Sequence, residues 1–105
     1  MAADIEAVNR TVSNYVADVK STMPVDRAFL FGSYAKGTAD EGSDIDVCFF
    51  MPSFGGKRRV DVIRDLLGIT SKYKGAFFEP IAFPTGEIER GNPFVKEILR
   101  TGVEL

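Results

Sequence analysis

The stretch that decides the fold is residues 29–50, which reads FLFGSYAKGTADEGSDIDVCFF. Apolar segments at 27–31 and 44–51 predict two strands. Between them the chain has a Gly-Ser break, a short helical turn over 33–37 and a polar loop. A connection of this length can return the second strand antiparallel beside the first. Both ends of the connection would then lie at the same end of one sheet.

The segments around this stretch alternate between helical and extended patterns. Pro80 lies inside the third extended segment and predicts an edge strand or a bulge, because proline has no N–H for a ladder. We predict an α/β (α+β) fold, with one domain over 1–105 and a small mixed sheet of three or four strands flanked by helices. The other predicted elements are helices over 4–22, 57–73 and 85–91, a strand over 76–83, and a helix capped by Asn92 and opened by Pro93, with Val60, Ile63, Leu66, Leu67, Phe94, Ile98 and Leu99 facing the core.

The composition excludes several kinds of chemistry. The 105 residues include no histidine and one cysteine, and the net charge is -2. A Ser-His-Asp triad, a His-ligated zinc and an internal disulfide are therefore excluded. The charge does not favour nucleic-acid binding. The one basic run, Lys57-Arg58-Arg59, could be a solvated helix start, or could meet an acidic partner or a triphosphate.

The sequence carries no targeting signal. The N-terminus lacks the basic and apolar segments of a signal peptide, and no apolar run approaches the length that spans a bilayer. We therefore expect a soluble, cytoplasmic protein that does not bind membranes.

The Gly32-Ser33 break between strand and helical turn is a candidate phosphate site. Glycine allows a ligand to approach the backbone closely, and the start of a helix exposes N–H groups without partners. The Ser33 hydroxyl adds a donor. The alternative is an ordinary helix cap, which many strand-to-helix turns have.

Asp44 and Asp46 stand at the start of the second apolar strand. Side chains alternate along a strand, so these two carboxylates share one face, while Ile45 and Val47 share the other. Two adjacent carboxylates repel unless a cation lies between them or one holds a proton. Carboxylate oxygens together with substrate phosphates are typical ligands of Mg²⁺. The alternative is a solvated strand end.

The run GSYAKGTADEGSDID at residues 32–46 resembles the signature of the DNA polymerase beta-like nucleotidyltransferase superfamily. Within that superfamily the chain looks like a minimal nucleotidyltransferase (MNT) domain, and the similarity extends over most of the chain. Lys36 departs from the arginine common at that position, which keeps the charge and loses bidentate geometry. The resemblance implies two Mg²⁺ ions, with Asp44, Asp46 and Glu79 as catalytic and metal-binding residues, and Gly32, Ser33, Lys36 and Ser43 as nucleotide-binding residues.

Glu79 is the candidate for the third carboxylate that the family carries on its next core strand. The alternatives are an exposed charge on an edge strand, or Glu87 or Glu89 on the following polar segment. In the mechanism that the resemblance implies, Glu79 helps to hold the second metal ion and accepts the proton of the attacking hydroxyl.

The same resemblance implies a partner protein. Similar stand-alone MNT proteins are antitoxins of HEPN-domain toxins, and they transfer AMP from ATP to a tyrosine of the toxin. Because the sequence offers no acceptor domain, we expect the acceptor to arrive on such a partner. A non-catalytic module that binds nucleotide or toxin is the alternative, and a small-molecule nucleotidyltransferase is a third hypothesis. A homo-oligomer is left open.

Overall fold

The computed structural model describes residues 5–40 and 42–105. Helices and strands alternate, as the sequence pattern predicts, and the predicted first helical residue, Asp4, lies outside the described residues. No helix in these ranges is long and apolar enough to cross a membrane. The elements are α1 (Ile5–Thr22), β1 (Arg27–Phe31), α2 (Ser33–Lys36), β2 (Ile45–Met51), α3 (Arg59–Ile69), a 3-10 turn (Thr70–Lys72), β3 (Phe78–Pro84), α4 (Glu87–Arg90), α5 (Pro93–Thr101) and β4 (Val103–Glu104).

The described strands form one four-stranded mixed sheet in the order β3-β2-β1-β4. β2 returns antiparallel beside β1, as the loop length predicts, and this pairing sets Phe31 opposite Asp46. β3 runs parallel to β2 because α3 carries the chain back along the sheet, and it sets Glu79 opposite Asp46. β3 is an edge strand, which agrees with Pro80 inside it. The predicted mixed α/β architecture is confirmed.

One face of the sheet, which we call the α1/α3 face, holds the larger core. Val12 and Tyr15 from α1, Phe49 from β2 and Leu66 from α3 are among its fully buried side chains. The Tyr15 hydroxyl donates to the carbonyl oxygen of Leu66 at 2.9 Å, and this bond joins the two helices. Burial raises the pKa of Tyr15, which therefore stays a neutral donor.

The opposite face, which we call the α5 face, holds a smaller core rich in phenylalanine. α5 packs on it through Val95 and Ile98, and the Asn92 side chain caps the helix by accepting from the Phe94 and Val95 amides. The predicted cap is therefore confirmed. The sheet residues beneath α5 are Phe29, Cys48, Phe50 and Phe83.

Three apolar residues predicted to face the core are exposed instead. Val60 is 52% exposed and Leu67 is 46% exposed, so these two predictions are wrong. The inward stripe of α3 runs through Val62 and Leu66, four residues apart, and this puts Val60 and Leu67 on its outer side. Phe94 is half exposed at the start of α5.

Candidate functional site

The Gly32-Ser33 turn joins β1 to α2. Gly32 has φ 71, a left-handed conformation that glycine adopts without strain. The Lys36 amide donates to the Gly32 carbonyl oxygen at 3.1 Å, whereas the first amides of a helix have no acceptor within the helix itself. A Cβ at Gly32 would overlap Oδ2 of Asp46 and lie 3.1 Å from its Cγ. The carboxylate of Asp46 therefore rests directly against the turn.

Asp46 and Glu79 form a close pair across β2 and β3. They are register partners. Burial first, then the nearby carboxyl group of Glu79, then the charge of Asp44, raise the pKa of Asp46 to about 6. The neutral form of Asp46 is therefore favoured, as expected of a partly buried acid beside other acids.

Asp44 lies just before β2 and is exposed. Its carboxylate is near enough to Asp46 to raise the pKa of that side chain. In the part of the chain that the structure describes, no three His, Cys, Asp or Glu side chains are gathered into a metal-binding group. The hard oxygens of Asp46 and Glu79 nevertheless suit a divalent cation, which would offset the burial and the repulsion that raise the pKa of Asp46.

Lys36 and Ser43, predicted to bind nucleotide, lie on different sides of the turn. Lys36 is exposed at the end of α2, and its positive charge, after that of Arg100, lowers the pKa of Glu97 on α5. Ser43 accepts the Asp40 amide at 3.0 Å and therefore orders the loop. Ser43 also lines a cavity of about 620 Å³ on the α1 side.

The alternatives to Glu79 lie off the strand. Glu87 belongs to α4 and pairs with Arg90 at 3.4 Å, and Glu89 is exposed on the same helix. Glu79 is the candidate that the structure places beside Asp46. Sequence periodicity could assign Glu79 to one face of its strand, but its partner follows from the parallel register of β3, which periodicity does not contain.

Arg59 is the residue of the basic run 57–59 that lies against the sheet. The run 57–59 separates in the structure: Lys57 pairs with Asp65 at 2.7 Å and Arg58 with Asp61 at 3.0 Å. Arg59 instead donates from Nε to the Ala82 carbonyl oxygen at 2.7 Å and lies 4.1 Å over the Phe83 ring. Arg59 therefore covers the edge of β3. No sequence signal distinguished it from its neighbours Lys57 and Arg58.

The site thus joins a glycine turn, the carboxylate of Asp46 against it, and Glu79 opposite Asp46 on the neighbouring strand, an arrangement suited to phosphate groups and a divalent cation. The sequence pattern of the nucleotidyltransferase domain matches residues 12–99. The chain belongs to the nucleotidyltransferase domain family. This confirms the resemblance to the minimal nucleotidyltransferase domain.

A solved structure supports the fold. A protein from Sulfolobus solfataricus, described as a candidate nucleotidyltransferase, superimposes with a TM-score of 0.64 at 23% identity, over 90% of this chain and 76% of that one. No curated protein is significantly similar to this sequence.

Proposed function

We propose that this domain transfers a nucleoside monophosphate, AMP from ATP, to a hydroxyl group of a partner protein in a Mg²⁺-dependent reaction. The observation that carries the proposal is the position of Asp46. Its carboxylate lies against the Gly32 turn, and Glu79 is its register partner on β3 and contributes to its raised pKa. A turn that can bind phosphate and neighbouring carboxylates that can bind Mg²⁺ are the groups that an in-line nucleotidyl transfer uses.

The turn binds the substrate in this proposal. The backbone at Gly32 and the hydroxyl of Ser33 hold the β- and γ-phosphates, and the absence of a side chain at Gly32 leaves room for Asp46 beside them. Asp44, Asp46 and Glu79 would hold the Mg²⁺ ions. When bound, these ions stabilise the negative charge that develops on the phosphate oxygens.

Glu79 is the proton acceptor in this proposal. The acceptor hydroxyl forms a bond to the α-phosphorus, the bond from that phosphorus to the bridging oxygen of pyrophosphate breaks, and pyrophosphate leaves. Glu79 takes the hydroxyl proton, which requires it to be ionised.

We assign the acceptor to a HEPN-domain toxin, with this chain as its antitoxin. Support comes from the resemblance to MNT proteins that pair with such toxins. Asp44 is also exposed, so a hydroxyl group on a second protein can reach this end of the strand. On this proposal the group that is modified is the hydroxyl of a tyrosine on the partner protein.

The test is incubation of the chain with α-labelled ATP, Mg²⁺ and the protein encoded by the adjacent gene. Label is expected on that protein, and Asp44→Ala and Asp46→Ala should each abolish its transfer. Asp65→Asn is a matched control, because Asp65 lies on α3 in a pair with Lys57. Full neutralisation of the toxin by both alanine variants would instead establish the non-catalytic binding module.

A further inference from the structure

Phe94 is the exposed member of the aromatic cluster on the α5 face. Its side chain is 50% exposed, whereas Phe29 and Phe83 in the same cluster are buried. Exposure of a large ring in a cluster that is otherwise buried loses hydrophobic stabilisation, unless something else covers the ring in the working protein.

Two ring contacts show where Phe94 lies on the α5 face. Its centroid is 6.0 Å from that of Phe31, edge to face, and 6.0 Å from that of Phe83. Phe31 pairs with Asp46, and Phe83 pairs with Phe50, so a ring near both stands over the middle of β2. The middle of that stretch is Cys48, two residues or about 7 Å along the strand from Asp46.

The start of α5 fixes the backbone at Phe94. The Phe94 amide donates to Oδ1 of Asn92 at 2.9 Å, and Pro93 restricts the backbone just before Phe94. Val95, the next residue, is fully buried. Phe94 is thus an exposed ring that is already held in position. A ligand that stacks on it therefore loses little conformational entropy in ordering the ring.

We propose that Phe94 is the stacking contact for the nucleobase of the triphosphate, an inference that rests on the proposed function. The base is joined to the α-phosphate through a single ribose, so it must lie within one sugar of the carboxylates. Phe94 is an exposed aromatic ring that contacts Phe31, the register partner of Asp46. Stacking on a ring accepts every base, because each base has a π-face. Phe94 therefore contributes affinity for nucleotides rather than a choice between them.

The test compares the affinity of two probes, ATP and inorganic tripolyphosphate, each with Mg²⁺. Phe94→Ala is expected to weaken ATP binding about tenfold, which is the size of one lost stacking contact. Tripolyphosphate has no base, so its affinity should not change. Phe94→Trp should restore ATP binding, and GTP should follow ATP. Val60→Ala removes a side chain of similar exposure on α3 and should change neither probe.

Each outcome is decisive. Unchanged ATP affinity in Phe94→Ala overturns the proposal, and so does an equal loss for both probes, because that loss would come from a disturbed fold. If the unmodified chain does not bind ATP, this proposal and the proposed function both fail. If ATP binding depends on Phe94 but no label reaches the partner protein, only the proposed function fails.

Discussion

The two faces of the sheet are made by the same strands but differ in what they do. The α1/α3 face is closed by two helices, and β2 contributes Val47 and Phe49 to its buried core. The α5 face is covered by one nine-residue helix, and its β2 residues begin with Asp46, which is only partly buried. Strand alternation separates the two sets, so one strand can provide stability on one side and chemistry on the other.

This difference shows why the carboxylates can be kept close. Burial of Asp46, and then repulsion from Glu79, disfavour the ionised form of Asp46 in the folded state. The larger core on the opposite face stabilises the same strands and offsets this cost. We therefore expect substitutions on the α1/α3 face to change stability, and substitutions at the carboxylate end to change ligand binding.

The largest stability effect is expected from Phe49→Ala. Phe49 is fully buried and packs edge to face on Tyr15 at 5.7 Å. The loss of a buried phenylalanine costs about 3–5 kcal/mol. Phe94→Ala, on the other face, should cost about 1–2 kcal/mol, because half of the ring is already exposed. Urea unfolding of both variants measures this contrast, and equal costs would remove the distinction between the faces.

The second prediction concerns Gly32→Ala at the boundary between turn and strand. The added Cβ would strike Asp46, and φ 71 is strained for alanine, so we expect a cost of about 1–3 kcal/mol and weaker Mg²⁺-ATP binding. Gly37→Ala is the matched control. Gly37 has φ 76 with no atom within 4 Å of a built Cβ, so it shares the backbone strain and lacks the collision. If the two variants bind Mg²⁺-ATP equally, the contact between the turn and Asp46 does not matter for binding.

The smallest effect is expected from Asp46→Asn in the absence of Mg²⁺. The folded pKa of about 6 exceeds the ordinary 3.8, so Asp46 binds a proton more tightly in the folded state. This stabilisation is full below about pH 4 and is lost as the pH rises through about 6. The variant does not ionise, so it avoids the cost that the wild type has when Asp46 becomes charged. We expect it to be more stable than the wild type by about 1 kcal/mol near pH 8, after allowance for solvent screening.

The same variant should match the wild type near pH 4. Thermal unfolding from about pH 4 to pH 8 tests this difference. A gap between the two proteins that stays constant over the range would show that the ionisation of Asp46 is not its cause.

Most of the scaffold could be predicted from local pattern, because strand alternation and capping act within a few residues. Arg27–Phe31 is a strand as expected, and Asn92 caps α5. β4 was not predicted as an element, because two residues are too few to show a period. The prediction that Val60 and Leu67 face the core was wrong, because α3 has apolar residues on its outer side as well as on its inner side.

The candidate site depended on both local and long-range information. The sequence pattern placed Asp44 and Asp46 at one strand end and Gly32 opposite them, and the antiparallel pairing of β1 with β2 brings Gly32 to Asp46. The neighbour of Asp46 on the other side, Glu79, depends on the parallel register of β3, which is a tertiary property. The half-exposed Phe94 ring was predicted to point inward, because the residue pattern alone cannot show how far α5 covers its face.

The most direct test of the account is the affinity for Mg²⁺-ATP of the wild type and of Asp46→Asn, measured by calorimetry near pH 8. Asparagine keeps the shape of the side chain and removes its charge. The account predicts at least a tenfold weaker affinity for the variant, because loss of even an outer partner of a metal site costs about 10–100-fold. Equal affinities would contradict the claim that the open end of the α5 face is the nucleotide and metal site.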